Sequence, residues 1–243
     1  MAAANHFEAA ASALRSLLKL PAPPIAIGFH PVPPDGVELF DRPMPVPASD
    51  GRTGRVPAGC VFWMLATERS FATVAEDHGN CSVGSYTHGF LPLEKAAKHS
   101  DVAELVRAGW VSESDFSTIP AVSDRPGSVT YGPLASAEHG DVVLVRLNRA
   151  GLMTLLDAWP ELLIEGKPQC HIVALAKQHG RIAASVGCAL SRARTGMPAT
   201  ESTAAIPMSL VDPLIARLTT AAEANSAVAR YAGTDAARFG EVR

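Results

Sequence analysis

The spacing of apolar positions changes along the chain, and each change marks an element. In residues 1–24, MAAANHFEAAASALRSLLKLPAPP, the positions Phe7, Ala10, Leu14, Leu17 and Leu18 fall on one face of a helix. PPIAIGF (23–29) is an apolar run of strand length. AGCVFWMLATERS (58–70) repeats Val61, Phe62 and Leu65 at helical spacing, with Cys60 in the first turn, and FATVAED (71–77) alternates as a strand. Cys81 comes just after it, ahead of a segment that opens another helix. Residues 94–118 carry a helical pattern on Ala97, Val102, Leu105 and Val106, then a turn at Ala108 and Gly109 and a short acidic stretch.

The second half reads more sharply. DVVLVRL (141–147) is a strand, and NRAGLMTLLDAW (148–159) follows as an amphipathic helix with Leu152, Leu155 and Leu156 inward, which suggests a strand-helix-strand unit. QCHIVALAKQHGRIAASVGC (169–188) alternates on both sides of Gln178, His179 and Gly180 and is expected to be a β-hairpin. Centred on His179, it would pair Ile172 with Val186, Ala174 with Ala184 and Ala176 with Ile182. The same register would set Cys170 opposite Cys188, with β-carbons about 4.5 to 5.5 Å apart. IPM (206–208) and helices over 211–220 and onward to Tyr231 complete the pattern.

These elements predict an α+β fold, a single domain over residues 1–243 with a mixed sheet, the β-hairpin in its C-terminal half, and flanking helices. The proline- and glycine-rich stretch 30–57 interrupts it and is expected to be irregular, either a spacer or a lid or partner contact.

Composition narrows the class. An apolar content of 47% and a charged content of 19% describe a soluble protein with an ordinary core. Net charge is −3, and the arginines around 181–194 are interleaved with apolar residues, so nucleic acid is not an expected partner. The N-terminal helix has no basic n-region and is broken by Glu8, Arg15 and Lys19, unlike a secretory signal. No apolar run reaches the length of a membrane span. A cytoplasmic location is the resulting expectation.

Four cysteines, Cys60, Cys81, Cys170 and Cys188, are too few for a disulfide scaffold and suit ligands better than bridges in a reducing compartment. Four thiolates converging on one point would fit tetrahedral zinc or a [4Fe-4S] cluster. Their dispersed spacing is not that of a zinc ribbon and favours a cluster embedded in a larger domain. Cys81 has a third reading, a metal-free nucleophile with His78 or His88 as base. Gly79, Gly84 and Gly187 suit close backbone approach to a cofactor. Arg192 and Arg194 follow Cys188 in GCALSRARTG, and an arginine there could hold a substrate carboxylate, Arg192 being the one expected to do so. The implied ligand is a small, anionic molecule. A redox partner, a homo-oligomer, and an iron-sulfur-dependent lyase or oxidoreductase activity stay open.

EDHGNCSVGSYTHGFLPL around Cys81, the helix beginning GC, the strand DVVLV, the pair Cys170 and Cys188, and IPMSLVDPLIARL together resemble the uncharacterised archaeal-conserved-region family, domain of unknown function 169, over about residues 14–222. The resemblance implies a shared site at Cys60, Cys81, Cys170 and Cys188, with Arg192 following. It implies no reaction, and it does not reach the insertion 30–57 or the tail beyond Thr220.

Overall fold

The structure is a computed structural model that describes residues 2–41, 59–79 and 81–240. Helix α1 (Ala2–Leu18) leads into strand β1 (Ile25–His30), and α2 (Gly59–Leu65) into β2 (Phe71–Thr73). Four short helices follow: α3 (Ser82–Thr87), α4 (Leu93–Ala96), α5 (Ser100–Arg107) and α6 (Glu113–Phe116). Then come β3 (Ser128–Pro133), β4 (Val142–Leu147), α7 (Arg149–Ala158), β5 (Leu163–Glu165), α8 (His171–His179), β6 (Ala183–Ser185), α9 (Ala189–Thr195), β7 (Ser202–Pro207) and α10 (Val211–Phe239).

The strands form one mixed sheet in the order β2-β3-β1-β4-β7-β6-β5, antiparallel throughout except for the parallel pair β5 and β6. Both faces are covered, so the central strands are apolar along their whole length. In β4, Val142 and Leu144 point to one core, while Val143, Val145 and Leu147 point to the other. The second core is closed by α1, α7 and α10, through residues such as Leu14, Leu18, Leu155, Leu214 and Leu218. Asn148 caps α7 by accepting from the Gly151 amide at 2.8 Å, a typical first-turn device. The first core receives α2, the short helices and α8, with Phe40, Phe62, Phe71 and Tyr131 in mutual ring contact. The chain is thus a single α+β domain with a mixed sheet.

Three expectations change. Residues 169–188 do not form a hairpin: α8 and then β6 occupy that stretch. Ile172, Val173, Ala174 and Ala176 are all buried, because α8 packs between the sheet and α3 and hides a broad face. A nine-residue helix buried that widely shows the same apolar 172, 174 and 176 as an alternating strand. Gly180, expected at the hairpin tip, is the left-handed C-cap of α8, with φ 59°. Cys170 and Cys188 are therefore not cross-strand neighbours.

The unit β4-α7-β5 exists, but β5 lies at the sheet edge, beyond β7 and β6; the adjacent parallel pair is β5-α8-β6. The two C-terminal helices are one, α10. Of the proline-rich stretch 30–57, residues 42–57 lie outside the described residues. Within the described part, Leu39 bridges Ala72 and Phe40 is buried against Phe62 and Phe71.

Candidate metal centre

Each cysteine stands at a junction where a helix begins. Cys60 is the second residue of α2, and Cys81, Cys170 and Cys188 immediately precede α3, α8 and α9. The helices approach one another above the first core, where α2 packs on α9 and on α3, and α3 packs on α8. All four cysteines are free and buried, and all four line one cavity of about 220 Å³. The remaining wall is mostly apolar, from Val83, Leu105, Trp110, Pro168 and Leu190, with Gln169, Ser191, Glu104 and Arg194 as its polar members.

The thiols feel one another. Burial, and after it the neighbouring Cys81, push Cys60 up to about 11, with a Ser191 hydrogen bond and the Arg194 charge opposing them. Burial also carries Cys170 well above the ordinary thiol range, with Cys81 next in effect and a Thr87 hydrogen bond opposing both. Bare thiolates crowded in this low-dielectric place repel, so deprotonation needs a compensating cation. Among the described residues no three His, Cys, Asp or Glu side chains are gathered tightly enough to hold a single metal ion. The thiols instead ring a cavity.

The other expected site residues divide. Gly84 lines the cavity, whereas Gly79 caps a helical turn at an ordinary φ of −64°. Gly187 has φ 120°, and a β-carbon there would collide with the Arg192 guanidinium, so glycine lets Arg192 lie against the backbone. Arg192 does not line the cavity: its guanidinium donates to the carbonyls of Val186 (2.8 Å), Glu201 (3.0 Å) and Pro198. Arg194 supplies the cavity's one positive charge among the described residues.

His78 and His88 are fully buried with ring centroids 5.4 Å apart and do not line the cavity. His78 Nε2 meets Thr73 Oγ1 at 3.0 Å, and His88 Nδ1 meets the Gly84 carbonyl at 2.8 Å. Burial lowers both, His88 to about 4, so both are neutral core imidazoles.

Trp110, Gln169 and Ser191 escaped the sequence reading. For Ser191 a signal existed: Ser191 and Arg194 lie three apart in the helix after Cys188 and so share a face. Trp110 reaches the cavity only through tertiary approach.

Fold and site together define an α+β protein with a thiol-ringed cavity at one face of its sheet. The chain belongs to the family called domain of unknown function 169, described as Uncharacterised ArCR, whose model matches residues 13–217. All four cysteines lie inside that match. Neither a curated protein nor a solved structure matches the chain. Among the described residues no helix is long and apolar enough to cross a membrane.

Proposed function

We propose that Cys60, Cys81, Cys170 and Cys188 hold an iron-sulfur cluster, [4Fe-4S], and that the protein uses it on a small anionic substrate. One observation carries the reading: four cysteines widely separated in the chain, with none left over, line a single cavity. The residues present fit such a group, since the donor set is all thiol and all four thiols line one space.

A bound cluster would supply electron transfer, or Lewis acidity if one iron kept an open position. The chain's own residues do the rest. Trp110, Leu105, Leu190 and Val83 exclude water, Ser191 and Thr87 orient Cys60 and Cys170 through hydrogen bonds, and Arg194 attracts the anion. Arg194 takes the part first expected of Arg192, whose guanidinium is already held by three carbonyls.

Iron and acid-labile sulfide measured on anaerobically purified protein, beside the four single cysteine-to-serine variants, test this. Iron and sulfide in equal amounts, lowered in every variant, support it. Zinc at one equivalent without sulfide replaces it with a tetrathiolate zinc site. Absence of both after reconstitution removes it. The nucleophile reading of Cys81 has less support, because no histidine lines the cavity among the described residues.

A further inference from the structure

The thiol cavity has a larger neighbour. A second cavity, of about 390 Å³, shares Val83, Trp110 and Pro168 with it as a common wall, and among the described residues no cysteine lines this second space. Its size is that of a small-molecule pocket. Val111, Phe116 and Ile119 give it an apolar side, while Asp115, Glu165 and Lys167 bring charges of both signs to it.

Those charges are not spent on one another. Lys167 donates to the Trp110 carbonyl and lies over the Trp110 ring, 4.4 Å from its centroid, which leaves two of its three N–H groups to offer. Glu165, the partly buried last residue of β5, meets His171 Nε2 at 3.2 Å through one carboxylate oxygen and has a second to give. Asp115 is engaged in capping α6, where it accepts from the Ser112 amide at 2.9 Å. Lys167 and Glu165 therefore remain as an opposed pair of charges that line one cavity without an ion pair between them among the described residues. Only Gly166 separates them in the chain, so their Cα atoms stand no more than about 7 Å apart.

We propose that this second cavity binds a zwitterionic α-amino acid with an apolar side chain, Lys167 taking its carboxylate, Glu165 its ammonium, and Val111, Phe116 and Ile119 its side chain. An α-amino acid carries both charges on a single carbon, which suits two oppositely charged side chains anchored this closely. A ligand with only one charge would desolvate the other side chain without giving it a partner, at a cost in affinity. The site stands apart from the cluster, whose cysteines line the other space.

Three probes remove one charge at a time: L-phenylalanine; 3-phenylpropanoate, which lacks the ammonium; and 2-phenylethylamine, which lacks the carboxylate. Titration calorimetry on the wild-type protein should give phenylalanine about tenfold tighter binding than either analogue, the worth of one hydrogen bond between charged groups. Lys167→Met should abolish the advantage over 2-phenylethylamine and keep the advantage over 3-phenylpropanoate; Glu165→Gln should do the reverse. A merely structural role for either residue would weaken all three ligands alike. Equal binding of the three by wild type, no binding of any, or the same loss in both variants overturns the proposal. The ligand series on wild type decides the matter even if a variant fails to fold. Iron and sulfide measured on the same samples keep this site and the cluster distinct: the order of the three ligands is expected at any metal content, and cluster-bearing protein without that order sinks the amino-acid site alone.

Discussion

His88 and Cys170 share one hydroxyl. Thr87 Oγ1 lies 3.2 Å from His88 Nδ1 and also hydrogen-bonds the Cys170 thiol, so a buried imidazole stands one side chain away from a candidate ligand. Gly84 offers only a carbonyl to Nδ1, which makes Nδ1 the protonated nitrogen and leaves Nε2 as a bare acceptor in the core.

The pH dependence of folding follows from that burial. Unfolded His88 takes a proton near pH 6.5, whereas in the fold it does so only near 4; His78 is shifted in the same direction, by burial and by His88. Below pH 6.5 the unfolded state binds more protons, so stability is complete above 6.5 and declines as pH falls toward 4. His88 contributes a slope of about 1.4 kcal/mol per pH unit inside that window, and His78 acts in the same direction. Urea titrations of wild type and His88→Leu at pH 7.0 and 5.5 check this. The variant should be less stable at pH 7.0, having lost the Gly84 bond, but should lose less between the two pH values. Equal losses would show that His88 is not the group responsible.

Metal uptake should release protons. Cys60 and Cys170 both resist ionisation in the metal-free protein, Cys60 up to about 11, and so carry their protons at pH 7.5. Ligation requires thiolates, so at least these two protons must leave on binding. Calorimetric titration of metal-free protein with a divalent ion in buffers of different ionisation enthalpy reads the number directly. The expected count is two or more, and apparent affinity should rise with pH. A count near zero would mean that the thiols were already ionised or are not the ligands.

Arg192 and Gly187 should behave as a structural pair. Ala at 187 must adopt φ 120° and meet the Arg192 guanidinium, at a cost of about 1 to 3 kcal/mol. Arg192→Ala forfeits three charge-assisted bonds to carbonyls, worth about 2 kcal/mol together after allowance for partial exposure. The double variant should cost less than the two singles combined, because removing Arg192 relieves the collision. Chemical denaturation of the four proteins gives the cycle. Strict additivity would contradict the contact, and a loss of ligand binding at unchanged stability would return Arg192 to the functional role first expected of it.

Which parts were readable from sequence has a physical pattern. β4 and α7 were, since DVVLVRL is an apolar run of strand length and NRAGLMTLLDAW carries a helical period, although of its leucines Leu155 is buried and Leu156, expected inward, is 42% exposed. α8 was not, because a short helix rich in alanine and buried on a broad face satisfies both periods, and a glycine that ends a helix is also what tightens a hairpin. The four cysteines could be singled out by residue type alone, although the hairpin invoked to join two of them does not exist. Their junction comes from helix packing instead. Choosing between Arg192 and Arg194 needed the third dimension: both sit on α9, but Arg194 lines the cavity while the Arg192 guanidinium turns to the carbonyls of Val186, Pro198 and Glu201. Gln169 carried no signal beyond its place beside Cys170.

The end of α10 offers a last test, on the limits of the domain. Val211, Leu214 and Leu218 are buried and Ala221 packs against the same core, but residues 223–234 are exposed throughout, with Val228 61% and Tyr231 71% accessible. The family match stops at residue 217, close to where the packing stops. An exposed helical segment adds little beyond its own weak propensity, since tertiary burial supplies most helix stability. Ending the chain after Ala222 should therefore leave the melting temperature within about 3 °C of the full-length protein, a change of under 1 kcal/mol for a domain of this size. The far-ultraviolet helical signal should fall while metal content holds. A larger drop that shrinks as the full-length protein is diluted would instead assign Val228 and Tyr231 to contacts between copies of the chain.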